Sequence, residues 1–264
     1  MAWWLAYPAI GLLAGFLAGL LGIGGGAIMV PMLVFVFTAQ LLPAEHLLHV
    51  ALGTSMATIV FTSLSSMRAH HAHGAVDWAI ARALAPGMLV GSFGAALLAG
   101  LIPTRPLAML FTALVFVVGT QLLLDLKPRT TRPLPGVAGL FAAGAVIGGV
   151  SSLAAAGGAF LAIPFLAWCG VALRRAIGTA SATGFPIALA GSAGYVVQGW
   201  GAPGLPPASL GYIYLPAFAV IVVMSMLAAP FGARLAHRLP VKRLRMVFAL
   251  MFYALALRML TTLW

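Results

Sequence analysis

The chain has 264 residues, 63% of them hydrophobic and 6% charged, with a formal net charge of +11. A soluble domain carries about 25% charged residues, and three acids (Glu45, Asp77 and Asp125) cannot keep a surface of this size in water. The excess of base does not mark a nucleic-acid partner: Lys and Arg sit mostly in short clusters between apolar runs, without interleaved aromatics.

No charged residue occurs from Met1 to Pro43, from Pro133 to Leu173, or from Ala176 to Ala233. About 20 apolar residues cross the hydrocarbon layer, so the sequence reads as an all-α polytopic membrane protein with the lipid bilayer as solvent. The N-terminus lacks the basic region of a signal peptide, so the first apolar run is read as a retained membrane segment. Breakers and charges cut the chain into about eight hydrophobic segments, near 8–40, 47–67, 79–101, 105–125, 134–168, 175–197, 209–236 and 241–262. Pro103 with Arg105 and Pro106 forms one tight turn, and Pro240 with Lys242 and Arg243 another. Residues 198–211, rich in Gly and Pro, read as a loop. The lone Cys169 excludes a disulfide within the chain and reads as a small apolar filler.

The stretch 127–135 is the only polar linker and falls at the middle of the chain. It separates two halves, 1–126 and 136–264, that resemble each other. Gly24-Gly25-Gly26-Ala27-Ile28-Met29-Val30-Pro31 recurs as Gly157-Gly158-Ala159-Phe160-Leu161-Ala162-Ile163-Pro164. The offset of 133 residues from Pro31 to Pro164 also pairs Gly11 with Gly144 and Gly15 with Gly148. At an offset of 125, Gly53-Thr54-Ser55 falls on Gly178-Thr179-Ala180, followed by Ser181. Gly94-Ala95 before Pro103 recurs as Gly232-Ala233 before Pro240. The expectation is two tandem transmembrane repeats of four helices each.

The segment 8–40 is too long for one straight crossing, since 33 residues rise about 50 Å against a core of about 30 Å. Gly22, Gly24, Gly25 and Gly26 lie in its middle and lower helix preference there. The expectation is a broken or re-entrant helix in each half. Irregular backbone survives at membrane depth only inside protein or beside water, and broken helices in paired positions mark transporter binding sites. The start of a half-helix presents amides and a partial positive charge, which suits an anion. The competing reading is close helix packing, which suits Gly11, Gly15 and Gly19 well.

Candidate substrate-binding residues are therefore Gly24, Gly25, Gly26, Gly157 and Gly158, with Gly53, Thr54, Ser55, Gly178, Thr179 and Ser181 as a second group. Hydroxyls of the second group can donate to an anion, or bond a neighbouring helix or the preceding turn. Arg174 and Arg175 either attract an anion or set topology. Asp77 and Glu45 are candidates for a coupled proton, though both lie near span ends. His46, His49, His70, His71 and His73 raise a metal site, but the latter three read better as a loop sampling headgroups. No metal or other cofactor is expected. No enzyme motif is present: the sequence lacks Gly-x-Ser-x-Gly, His-Glu-x-x-His and a phosphate loop.

The run Gly15-Phe16-Leu17-Ala18-Gly19-Leu20-Leu21-Gly22-Ile23-Gly24-Gly25-Gly26, then Val30-Pro31 and Gly53-Thr54-Ser55, resembles the repeat of the TauE/SafE family of bacterial membrane permeases. The resemblance covers nearly the whole chain. The second copy departs from it, with Ala154-Ala155-Ala156 ahead of Gly157-Gly158 and Gly178-Thr179-Ala180-Ser181 in place of Gly-Thr-Ser. The resemblance implies export of sulfite, organosulfonates or related sulfur oxoanions across the bacterial inner membrane. Apart from the resemblance, the paired glycine breaks imply a transporter with an anion-friendly centre. The alternatives are an uptake or metal-ion permease, or a non-transporting membrane assembly protein.

Eight crossings would put both termini on one face. Arg105, Arg174, Arg175, Arg234, Arg238, Lys242, Arg243 and Arg245 then share one side, against Arg68, Arg82, Lys127, Arg129 and Arg132. That balance favours termini outside the cytoplasm.

Overall fold

The computed structural model describes residues 3–21, 25–124, 132–236, 246 and 249–257. In chain order the helices are α1 (Trp3–Leu21), α2 (Gly26–Ala39), α3 (Leu47–Ala72), α4 (Trp78–Leu101), α5 (Thr104–Leu124), α6 (Val137–Leu153), α7 (Ala159–Trp168), α8 (Leu173–Gly199) and α9 (Leu215–Ala236). Residues 249–257 are also helical. Five helices, α3, α4, α5, α8 and α9, are long and apolar enough to cross a membrane. The apolar stretches 8–40 and 134–168 are each divided in two, as their length and glycines required. The stretch 209–236 opens instead with a two-stranded hairpin. Ser209–Leu210 (β1) pairs antiparallel with Ile213–Tyr214 (β2) around Gly211, and helix begins only at Leu215.

Both divided stretches double back. Tyr7, early in α1, donates its hydroxyl to Gln40 Oε1 just past α2, at 2.9 Å. The backbone N–H of Arg132, ahead of α6, donates to the Trp168 carbonyl at the end of α7, also at 2.9 Å. The Arg132 guanidinium lies 5.1 Å from the centre of the Trp168 ring. Each pair is thus a hairpin whose tip points away from its chain ends. Tyr7 is almost fully buried and its hydroxyl also accepts from Gln40 Nε2 at 2.8 Å, so Tyr7→Phe is expected to destabilise the protein by at least about 1 kcal/mol, the net worth of a single hydrogen bond. A lowered thermal midpoint in detergent would show it, and an unchanged midpoint would mean that the hairpin closes without this bond.

Packing exchanges elements between the halves. α1 runs parallel to α9, with Gly11 and Gly15 against Ile221 and Ser225 and Gly232 against Phe16. α6 runs parallel to α4 in the same manner, with Gly144 and Gly148 against Leu84 and Met88. Small residues allow such approach where lipid offers no hydrophobic drive to associate. α3 and α8 cross antiparallel at the centre, where Met56 lies beside Gly191 and Ser63 beside Gly184.

Candidate functional site

At the first hairpin tip the chain enters α2 through Gly25, at φ 72°; at the second it enters α7 through Gly157 and Gly158, at φ 51° and 84°. Left-handed dihedrals cost an L residue about 1–2 kcal/mol and glycine almost nothing. Gly25 and Gly158 occupy the same position, the residue immediately before the helix. Gly22 and Gly24 lie outside the described residues. Ala155, in the second tip, takes φ 45° with a side chain in place, so this tip stores strain. Ala155→Gly is expected to raise stability by about 1 kcal/mol, read as a higher unfolding midpoint. A fall would show that contacts of the Ala155 methyl outweigh the strain.

The two tips meet. A Cβ on Gly26 would run into the Ala155 carbonyl and Ile59 Cδ1, and a Cβ on Gly184 would stand 3.1 Å from the Gly157 carbonyl. Ile59 and Gly184 lie near the midpoints of α3 and α8, so the junction sits at mid-depth of the helical body, buried on all sides. The helical ladder begins with Ile28 and Met29 bonding the Gly25 carbonyl, and with Leu161 and Ala162 bonding that of Gly158. The amides of Gly26, Ala27, Ala159 and Phe160 precede those ladders and have no carbonyl one turn back. Each helix start carries about half a positive charge. Every charged residue among those described lies in a loop or within five residues of a helix end, so the junction itself is uncharged.

Residues 7–259 match the family described as sulfite exporter TauE/SafE. The chain belongs to this family. A "Probable membrane transporter protein" of Haemophilus influenzae is 38% identical over 255 residues, covering 95% of each chain. A relative of the same description from Bacillus subtilis, YdhB, is 27% identical over 237 residues, 86% of this chain and 88% of its own. One from Methanocaldococcus jannaschii is 22% identical over 262 residues, 95% and 93%. No solved structure matches the chain significantly. Family and relatives alike identify a multi-pass membrane transporter, whose partners are a small substrate and the bilayer.

In this TauE/SafE chain four residues of the second group, Gly53, Thr54, Gly178 and Thr179, are engaged by loops away from the tips. Gly53 packs on the Tyr212 carbonyl, and Thr54 Oγ1 accepts the Tyr214 N–H at 3.0 Å. Gly178 packs on the Ala75 carbonyl, and Thr179 Oγ1 accepts the Asp77 N–H at 3.0 Å. One device is used twice: glycine admits a loop carbonyl, and threonine captures the amide two residues on. These pairs pin the loops that precede α9 and α4. Thr54→Val and Thr179→Val should each cost about 1–3 kcal/mol, the penalty for an unpaired buried amide, with substrate affinity unchanged. Affinity loss at native stability would return both residues to the site. Ser181 turns its hydroxyl back onto the Gly178 carbonyl at 2.7 Å. Ser55 is fully buried without a hydrogen-bond partner, and lies one turn from Ile59 on the same helix face.

The remaining polar candidates act at the ends of helices. Asp77 caps α4, accepting the Ala79 and Ile80 amides at 3.1 and 3.3 Å. Arg174 reaches the His73 carbonyl at 3.4 Å from an exposed position. His49 contacts the Ala99 and Ile102 carbonyls at 3.1 and 3.0 Å, tying α3 to the end of α4. Among the described residues no three His, Cys, Asp or Glu side chains gather as metal ligands would. Sequence reasoning passed over Ser151 and Ser152, both fully buried and without hydrogen-bond partners directly before the second tip. Their signal was two adjacent hydroxyls ending an apolar helix at its break.

Proposed function

We propose that this TauE/SafE member exports small anions, such as sulfite, sulfonates or related sulfur oxoanions, and binds them where the hairpin tips meet. The observation that carries this reading is the contact of Gly26 with Ala155 at the buried, uncharged midpoint. It brings the amide-bearing starts of two helices together where lipid supplies no other partner. Gly25, Gly26, Gly157 and Gly158 border the substrate, joined by Gly24 in sequence. The Gly53–Thr54 and Gly178–Thr179 pairs support the frame. The sulfur chemistry and outward direction rest on the family's description. The test is flux of labelled sulfite in liposomes reconstituted with the full-length protein. Flux no faster than through protein-free vesicles would favour a membrane assembly role.

The hairpins also bear on topology. With each hairpin entering and leaving on one face, each half contributes three crossings: α3 to α5, then α8, α9 and the helix through 249–257. An odd number of crossings turns the second half over relative to the first. Tip-to-tip contact suits this inverted arrangement, because the hairpins then enter from opposite faces. Contacts of Thr104 with Glu45 and of His49 with Ala99 mark one face; those of Asp77 with Thr179 and Arg174 with His73 mark the other. Arg105 belongs to the first face, and Arg68, Arg82, Arg132, Arg174, Arg175 and Arg234 to the second. Lys127, Arg129, Arg238, Lys242, Arg243, Arg245 and Arg258 lie outside the described residues. Basic loops stay in the cytoplasm, so the second face is cytoplasmic and both termini lie outside it. The imbalance is much wider than an eight-crossing count gives.

A further inference from the structure

We infer that the site selects singly charged oxoanions over dianions, and that the hydroxyls of Ser151 and Ser152 at the second tip hold them. The inference rests on the anion site proposed above. Thr58, Thr62, Ser63, Thr183 and Ser192 all return their hydroxyls to carbonyls of their own helices. Ser151 and Ser152 do not, although both are wholly buried. Orphan hydroxyls at such depth call for a partner.

Ser151 faces the start of α7, and Ser152 faces α8 two turns beyond Gly184. Ser151 Oγ lies 3.8 Å from the Cβ position of Gly158, the residue that opens α7. Ser152 Oγ lies 3.0 Å from the Cβ position of Gly191, as does Ser92 Oγ. Ser92 already donates to the Ile187 carbonyl at 2.6 Å, whereas Ser152 has no bond to give up. At the offset of 133 residues, the first tip has Ala18 and Gly19 in their places. The second tip therefore supplies the side-chain donors.

Charge selectivity follows from what surrounds these groups. No charged side chain among the described residues reaches the junction. An ion entering it exchanges water for amides and hydroxyls alone. The cost of stripping water grows with the square of the charge, whereas the stabilisation given by a fixed set of neutral donors grows only in proportion to it. A hydroxyl also both donates and accepts. A serine can therefore bond the oxygens of a sulfonate and accept the proton of hydrogen sulfite, which sulfate in its dianionic form does not offer.

The experiment measures binding to the full-length protein in nanodiscs, using methanesulfonate as a permanent monoanion, sulfate as a dianion, and sulfite across its titration near neutral pH. Methanesulfonate is expected to bind at least about tenfold more tightly than sulfate. Sulfite affinity should fall as pH rises and hydrogen sulfite is lost. Ser151→Ala and Ser152→Ala should each weaken methanesulfonate binding about tenfold or more, the loss expected for one hydrogen bond to an ion, with Ser152→Thr recovering part of it. Sulfate binding as well as methanesulfonate, or a Ser151→Ala/Ser152→Ala double variant binding like the parent, would overturn the inference and leave the anion site standing. Binding of no anion at all would overturn both. The comparison of anions in the parent protein decides the selectivity even if a variant misfolds.

Discussion

Gly25→Val is expected to abolish anion flux in liposomes that contain the same amount of inserted protein as the parent. Two penalties coincide at this residue. Its φ of 72° is forbidding for a β-branched side chain, and its Cβ would stand 2.6 Å from the Ala14 carbonyl of α1. A left-handed residue costs about 1–2 kcal/mol and overpacking about 1–3 kcal/mol. Together they move the tip by more than its contact with Ala155 tolerates. Gly26→Ala attacks the same contact from the other side, because its methyl would press directly on the Ala155 carbonyl. Suitable controls are Gly94→Ala, where a Cβ meets nothing within 4 Å, and Gly119→Ala, where it meets only ordinary contacts at 3.5 Å and beyond. Gly11→Ala is a poorer control than its sequence suggests, since its Cβ would stand 2.7 Å from Met224 Cβ. Near-native flux and affinity in Gly25→Val would show that the tip is only architectural, and the site would then have to be sought around Ser55.

Single cysteines at Leu41 and Arg105 should react with a membrane-impermeant thiol reagent added outside intact cells. A cysteine at Arg174 should react only after the cells are opened. The background is Cys169→Ala, which removes the one native thiol. All three positions are exposed, Leu41 to 90%. The expected contrast is all or none, because the bilayer separates the two sets. Eight successive crossings would put Arg105 and Arg174 on the same side, so equal labelling of those two from one side would refute the hairpin topology. Labelling of Arg174→Cys alone from outside would keep the hairpins and reverse the orientation.

The apolar segments and their two breaks were legible because length and glycine act locally. Thirty-three residues do not fit one crossing, whatever they pack against. Whether the divided segment turns back or continues is not a local property. It is settled by Tyr7 meeting Gln40 and Arg132 meeting Trp168, contacts between residues at opposite ends of their segments. The glycines of 11 and 15 were readable as packing positions, and they do pack, on α9. Sequence left Thr54 and Thr179 open between an anion and a bond to a helix, because what they do bond lies far off in the chain. Their partners are amides 160 and 102 residues away. Ser209 to Tyr214 was hidden for the opposite reason: its composition is apolar enough to merge with α9, while Gly211 bends it into a hairpin.

The exchange of hairpins between halves sets an order of assembly. α6 finds α4 already made when it leaves the ribosome. α1 has to wait for α9, more than 200 residues later. At about 5–20 residues per second, the first hairpin spends roughly 10–40 s with Gly11 and Gly15 facing lipid or a chaperone. Synthesis of the chain therefore passes through a long-lived intermediate in which the second tip can close but the first has no wall to lean on. A fragment ending near residue 126 would be stranded at that stage and become a substrate for membrane proteases, and co-expression of residues 136–264 should rescue it.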